Sequence, residues 1–323
     1  MGPVAALVER CGGSVARVFR RAELPMRLIE EPDRLILLKD QLKLVECAAG
    51  EIGDEALAAR LSTEAGIASL GAYGRRVIAL PRLDAALAAA GEAIGTLLQS
   101  STRLELRRAG RFVQWTYRVT DPVQVGRQKN EMLALGYMLD LLRRFAGDRW
   151  TPSRLELGGA PAASRPAVES VFRCEVCPGP TAAVVFPADI LDLSNPRAPQ
   201  RPQPGAAEIP QPDDLVACVE HLIGLALLEG RPRIDRIGRR LGISRRTLQR
   251  HLESHGTSFN ALLRRAAVAR ASALLRAGSS ATDVALELGY ADPAHFSRAF
   301  RGWTGRPPRH WQRSSWPAAP SEG

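Results

Sequence analysis

The first 220 residues of this 323-residue chain contain no histidine; His221, His251, His255, His295 and His310 all come later. Histidine titrates near neutrality and is the commonest metal ligand, so the larger N-terminal part lacks the usual general base and the usual zinc ligand. Five cysteines (Cys11, Cys47, Cys174, Cys177, Cys218) are too few and too scattered for a disulfide framework, and they fit a reducing compartment. Cys174 and Cys177 form one C-x-x-C, but no second pair or C-x-x-H lies nearby to complete a tetrahedral site. They are read as two small buried residues on a strand, with no metal expected. No run approaches the ~18 to 20 apolar residues of a membrane span, and Met1–Arg10 lacks a basic segment followed by an apolar one. No membrane contact and a cytoplasmic location are therefore expected. Neither a G-x-x-x-x-G-K-[ST] loop nor a strand-linked G-x-G-x-x-G is present. Glu156, Asp189 and Asp192 belong to no triad and read as solvated or capping residues. The expectation is no catalytic residue, no cofactor and no enzyme.

What is present is an ordinary globular composition, 45% apolar and 24% charged, at about twice the usual domain length of ~100 to 200 residues. The sharpest break is Asn195–Pro212, where six prolines remove backbone donors and disfavour helix. This predicts a domain over 1–194, a proline-rich linker over 195–212, a second domain over 213–316 and a disordered tail over 317–323. Apolar residues at three-to-four spacing predict helices over Leu35–Ala49, Leu83–Leu98 and about Gln128–Phe145. Alternation around Gly110 predicts a hairpin over Arg103–Thr120, and Arg154–Gly158 and Thr181–Phe186 read as short strands. The fold class expected is a mixed α+β N-terminal domain joined to an all-α C-terminal one. Trp115, Tyr117, Tyr137 and Trp150 are candidates for the wall of a ligand pocket, or for plain core.

Charge is concentrated beyond the linker. Arg231–Arg313 holds 17 arginines against five acids (Asp235, Glu253, Asp283, Glu287, Asp292), a surplus of twelve in a chain whose net charge is +10. Such a segment is either a solvated basic face or the electrostatic footprint of a nucleic-acid binder. A repeat decides between them. Ile234–Leu241, Gly242-Ile243-Ser244 and Arg245–His255 form one unit; Ser280–Leu288, Gly289-Tyr290-Ala291 and Asp292–Trp303 form another, with the Leu-Gly pairs 47 residues apart. Leu248, Arg250 and Leu252 correspond to Phe296, Arg298 and Phe300.

Each unit reads as helix, tight turn, helix. In the first, Ile234, Ile237 and Leu241 face inward, Gly242 suits a left-handed helix stop and Ser244 an N-cap. Leu248 and Leu252 then face the core, leaving Arg245, Arg246, Gln249 and Arg250 for DNA, where arginine pairs with guanine and glutamine with adenine. In the second, Ser280 and Asp283 approach a capping box, Val284 and Leu288 point inward, and Phe296, Phe300 and Trp303 anchor the second helix. Ala294, His295, Ser297, Arg298 and Arg301 are then the outward set.

ISRRTLQRHLESHGTSFNALL and ALELGYADPAHFSRAFRGWTGRPPRHW resemble the DNA-binding domain of the AraC/XylS transcriptional regulators across Ile234–Trp311. Two departures stand out: Ala267 replaces an arginine frequent in relatives' linking helix, and Gln312 one that often follows the final aromatic. Arg264, Arg265, Arg270 and Arg313 are available to restore that backbone charge. Upstream, LPMRLIEEPDRLILLKDQLKLVECAAGEIGDEALAARL, GDRWTPSRLELGGAP and VFRCEVCPGPTAAVVFPADILDL resemble the arabinose-binding-like effector and dimerisation domain of one AraC-type subgroup. The resemblance implies a sequence-specific regulator of promoter or operator DNA, an unidentified small-molecule effector, a homodimer and, for an activator, RNA polymerase as a partner. A linking helix of Phe259 to about Ala277 would set two unlike reading helices in successive grooves. The alternatives are a thiol-responsive regulator working through Cys174 and Cys177, and an enzyme fused to a DNA-docking domain.

Overall fold

The structure, a computed structural model, describes residues 2–30, 36–99, 101–121, 125–159, 164–196, 214–230 and 232–314, with side chains described to residue 311. The chain divides into two compact units, Met1–Gln211 and Pro212–Gly323. The proline-rich stretch beyond residue 196 and the expected tail from 317 lie outside the described residues.

The N-terminal unit opens with helices α1 (Gly2–Arg10), α2 (Val15–Ala22), α3 (Leu38–Ile52), α4 (Leu57–Ala65), α5 (Gly71–Ile78) and α6 (Leu83–Ala93). Strands β1 (Thr102–Ala109) and β2 (Phe112–Val119) follow, then α7 (Arg127–Ala146), β3 (Arg154–Leu157), α8 (Arg165–Phe172), β4 (Val176–Pro178) and β5 (Ala182–Pro187). The sheet order is β1-β2-β5-β3-β4, antiparallel except for the β3–β4 pair, whose parallel strands are connected through α8. The hairpin predicted around Gly110 is present, with Ala109 paired to Phe112 across the loop. Along β2, Val113, Trp115, Tyr117 and Val119 are buried in strict alternation, as expected of a strand with one core face. β5 lies between β2 and β3 and is buried from Ala182 to Phe186, so it shows no alternation at all.

Helix α7 is the unit's axis, packed against β5, β2, β3, α3 and α4. Its first turns bury Lys129, Asn130 and Glu131, each of them partnered: Lys129 Nζ lies 2.6 Å from Glu55, Asn130 bonds Tyr117 and Glu131 accepts from Arg127 at 3.2 Å. Buried polar groups persist only with such partners. Farther along, Gly136 lets α7 approach α4 so closely that an added Cβ would sit 1.9 Å from Ser62 Oγ.

Two expectations need correction. The helix predicted over Leu83–Leu98 is α-helical only to Ala93; from Ile94 it widens into a π-helical turn, Ile94–Leu98, closed by Gln99 N–H donating to Ile94 O at 2.8 Å. Cys174 and Cys177 are not a buried strand pair. Cys177 lies on the three-residue edge strand β4, Cys174 falls in the turn after α8, and both are part-exposed.

The C-terminal unit is helical throughout its described residues: α9 (Leu215–Ala226), α10 (Ile234–Leu241), α11 (Arg245–Ser254), α12 (Phe259–Arg276), α13 (Ala281–Glu287), α14 (Pro293–Thr304) and α15 (Pro308–Ser314). Asp214 caps α9 by accepting from Ala217 N–H, and the helix buries Cys218, Val219, Leu222, Ile223 and Leu225 against the long α12.

Gly136→Ala should destabilise the N-terminal unit by about 1 to 3 kcal/mol through overpacking of the α4–α7 crossing. Thermal unfolding checks this, and an unchanged Tm would mean that the two helices part without cost.

Candidate nucleic-acid interface

The first helix-turn-helix is α10 and α11. Gly242 ends α10 at φ 72, its N–H donating to Arg239 O at 3.1 Å, while Ile243 N–H donates to Gly238 O at 3.0 Å. Gly238 is also sterically required: a Cβ there would lie 2.8 Å from Ile243 O. Ser244 then caps α11, its Oγ accepting from Thr247 N–H at 3.1 Å. Within the pair only Ile237, Leu248 and Leu252 among the expected anchors are fully buried; Ile234 and Leu241, at the two ends of the eight-residue α10, are half-buried. Arg245, Arg246, Gln249 and Arg250 are all exposed on α11.

The second unit is α13 and α14. Ser280 Oγ accepts from Asp283 N–H at 3.1 Å and donates to Asp283 Oδ2 at 2.7 Å. This is a variant of the capping box in which the carboxylate takes the cap hydroxyl. Asp292 caps α14 by accepting from Ala294 N–H at 2.8 Å, with Pro293 at the first turn, where no intrahelical donor is needed. Phe296 and Phe300 are wholly buried, while Trp303 is only half-buried. Tyr290 in the turn packs edge-on against Phe296 at 5.5 Å and against His295 at 5.7 Å. Ala294, His295, Arg298 and Arg301 are exposed; Ser297 is half-buried and its hydroxyl donates to Pro293 O at 2.9 Å.

Between the units runs α12, 18 residues and so about 27 Å at 1.5 Å per residue. Two of its arginines are engaged within the domain. Arg270 donates to Glu287 of α13 at 2.6 Å and Arg265 to Glu220 of α9 at 2.5 Å, so both brace the domain internally; Arg264 is exposed. Ala267 is buried, so at this position the chain carries packing instead of charge. Arg245 and Arg298 sit 3.9 Å from Asp235 and Asp292 respectively, exposed contacts too long and too solvated to hold either side chain.

In the N-terminal unit, Trp115, Tyr117 and Tyr137 line one cavity, whereas Trp150 packs edge-on against Phe186 at 6.3 Å. Burial pushes the Cys174 thiol up to about 11, and desolvation also raises Cys177. Among the described residues no group of three or more His, Cys, Asp or Glu could hold a metal, and no helix is long and apolar enough to cross a membrane.

A family model described as the arabinose-binding domain of AraC transcription regulators matches residues 12–195, more than half of the chain, and a helix-turn-helix domain matches 237–314. The chain belongs to the AraC family of transcription regulators. It is 24% identical to the transcriptional regulator VirS of Mycobacterium tuberculosis over 95% of this chain and 93% of that one. An uncharacterised helix-turn-helix regulator of the same organism, Rv1395, is 39% identical over 83 residues, 25% of this chain and 24% of its own. Among solved structures, the regulator CdpR of Pseudomonas aeruginosa aligns over 96% of both chains at 18% identity and a TM-score of 0.38. This AraC-family chain is thus a DNA-binding transcriptional regulator, with an N-terminal α/β domain and a helical DNA-binding domain.

Phe296→Ala should cost about 3 to 5 kcal/mol and Leu248→Ala about 2 to 5. In denaturant melts both should lower the midpoint of the C-terminal transition, and normal stability with lost DNA binding would instead place those side chains at the interface.

Proposed function

We propose that α11 and α14 enter successive major grooves on one side of the duplex and read two unlike half-sites. The observation that carries this reading is the pairing, on each helix, of a buried apolar side with an exposed side: Leu248 and Leu252 opposite Arg245, Arg246, Gln249 and Arg250, and Phe296 and Phe300 opposite Ala294, His295, Arg298 and Arg301. α12, at about 27 Å, is close to the ~34 Å of one helical turn of DNA. Arg246, Gln249, Arg250, Arg298 and Arg301 carry base and phosphate contacts in this reading. Ala294, His295 and Ser297 shape the surface of α14 against bases, Ser297 through its position since its hydroxyl is already bonded within the helix. The two sets differ chemically, so the site is asymmetric.

The N-terminal domain binds a small effector and dimerises, biasing DNA binding. The proline-rich segment between residues 195 and 212 tethers it to the reading domain, and in a dimer tethering raises the effective concentration of the second contact. RNA polymerase is the further partner if the protein activates, and the cytoplasm is its place of work. A thiol switch has little support, since at neutral pH the raised Cys174 and Cys177 groups are thiols and not reactive thiolates. Replacing both with serine should leave operator binding, with and without oxidant, the same as that of the unsubstituted protein; an oxidant effect present in the unsubstituted protein and lost in the variant would reinstate the switch.

Arg298→Ala should weaken specific binding by about 1 to 3 kcal/mol and relax sequence preference in one half-site only, measured by fluorescence anisotropy on operator and random DNA at one salt concentration. Equal losses on both DNAs would mean that Arg298 touches phosphate alone.

A further inference from the structure

The N-terminal unit contains a cavity of about 150 Å3 to which α7, α3 and β2 contribute much of the wall, with further residues from α1, α4, α5, β1 and the turns at 67–70 and 94–99. α7 supplies Asn130, Leu133, Ala134, Tyr137 and Met138, one helix face; α3 supplies Gln41, Leu44 and Val45; β2 supplies Trp115 and Tyr117 from its core side. The deep wall is buried, Trp115, Tyr117 and Tyr73 being 2–3% exposed, while Pro3 and Ser69 at the rim are exposed.

The lining contains no Asp, Glu, Lys, Arg or His. A buried carboxylate or ammonium on a ligand would find no counter-charge there, and burying an unpaired charge is strongly unfavourable. Desolvation also raises Tyr73, Tyr117 and Tyr137, the last to about 12, so the phenols are neutral. The wall's polar groups largely satisfy one another. Gln41 Nε2 donates to Asn130 Oδ1 at 3.1 Å, Asn130 Nδ2 to Tyr117 Oη at 2.7 Å, and the Tyr117 hydroxyl to Gln99 Oε1 at 2.7 Å. Tyr73 O–H donates to Ala90 O at 3.3 Å, and Tyr137 is bonded to Ser69. A sugar entering this space would bury several hydroxyls against groups already engaged, each at a cost. The volume is one in which an engineered apolar cavity takes up benzene.

We propose that this cavity binds a compact, uncharged, mainly apolar molecule, an aromatic ring with about one hydrogen-bonding group being the best fit, and that it does not bind a sugar. The inference rests on the reading of this domain as an effector-binding one and names the chemistry of its ligand. Occupancy would tie α3, α7 and the sheet together through one shared contact.

The test is titration calorimetry and thermal unfolding of the full chain with phenol, indole, benzoate and L-arabinose, and operator affinity with each. Phenol or indole should bind one per chain and raise Tm, benzoate and L-arabinose at least tenfold more weakly. Ala134→Phe, which fills the space from α7, should weaken phenol and indole at least tenfold; Ala134→Leu serves if the larger residue prevents folding. Benzoate or L-arabinose binding as tightly as phenol overturns the ligand class, and if either also changes operator affinity the effector reading survives that loss. Phenol and indole failing to bind, or binding equally to the filled variants, overturns the cavity as the site. Binding of phenol or indole that leaves operator affinity unchanged upholds the cavity chemistry and removes the effector role.

Discussion

Two apolar side chains one turn apart on the second helix of each helix-turn-helix unit decide which way that helix faces. Leu248 with Leu252 and Phe296 with Phe300 are completely buried, and an α-helix held on one side by residues i and i+4 must present the remaining positions outward. The arginines of α11 and α14 therefore need no ion pair to point them at solvent. The nearest carboxylates, Asp235 and Asp292, stand 3.9 Å from Arg245 and Arg298, in exposed contacts too long to hold the guanidinium groups. Where arginines do make short pairs within the domain they belong to α12: Arg265–Glu220 ties it to α9, and Arg270–Glu287 ties it to α13 of the second helix-turn-helix unit.

The same economy of contacts governs the N-terminal unit around α7. Its start buries Lys129, Asn130 and Glu131 with partners from the α3–α4 connection, β2 and its own first turn; its middle needs Gly136 to meet α4; and one face of it lines the cavity. A helix with so many neighbours is apolar or engaged on nearly every side, which is why its hydrophobic pattern is broad. α7 thus joins the cavity to both the helices and the sheet packed around it.

The C-terminal domain was legible in the sequence because its signals are local. Gly242, Ser244, Ser280 and the spacings Leu248/Leu252 and Phe296/Phe300 all act within one or two helical turns, and each holds the role read from it. Ile234, Leu241 and Trp303 are only half-buried, since spacing assigns a side but not a depth. In the N-terminal unit the hairpin and α7 were readable, while α1, α2, α4, α5 and α8, at eight or nine residues each, are too short for their periodicity to stand out. The strand order depends on pairings across α7 and α8 that no local pattern encodes. Aromaticity alone makes Trp115, Tyr117 and Tyr137 candidates for the pocket wall, and all three line the cavity. Trp150 shares that property but packs elsewhere, and Tyr73 shares it and does line the cavity although the sequence reading does not single it out; Gln41 and Asn130 carry no signal, because the cavity joins residues far apart in sequence.

The central claim is that one chain reads two different half-sites with two differently composed helices. Selection of bound sequences from a random DNA pool by the purified protein at fixed salt tests it most directly. The account predicts an enriched motif with two unlike halves about 10 base pairs apart. A palindromic motif, a single half-site, or binding without enrichment that simply fades as salt rises would contradict it.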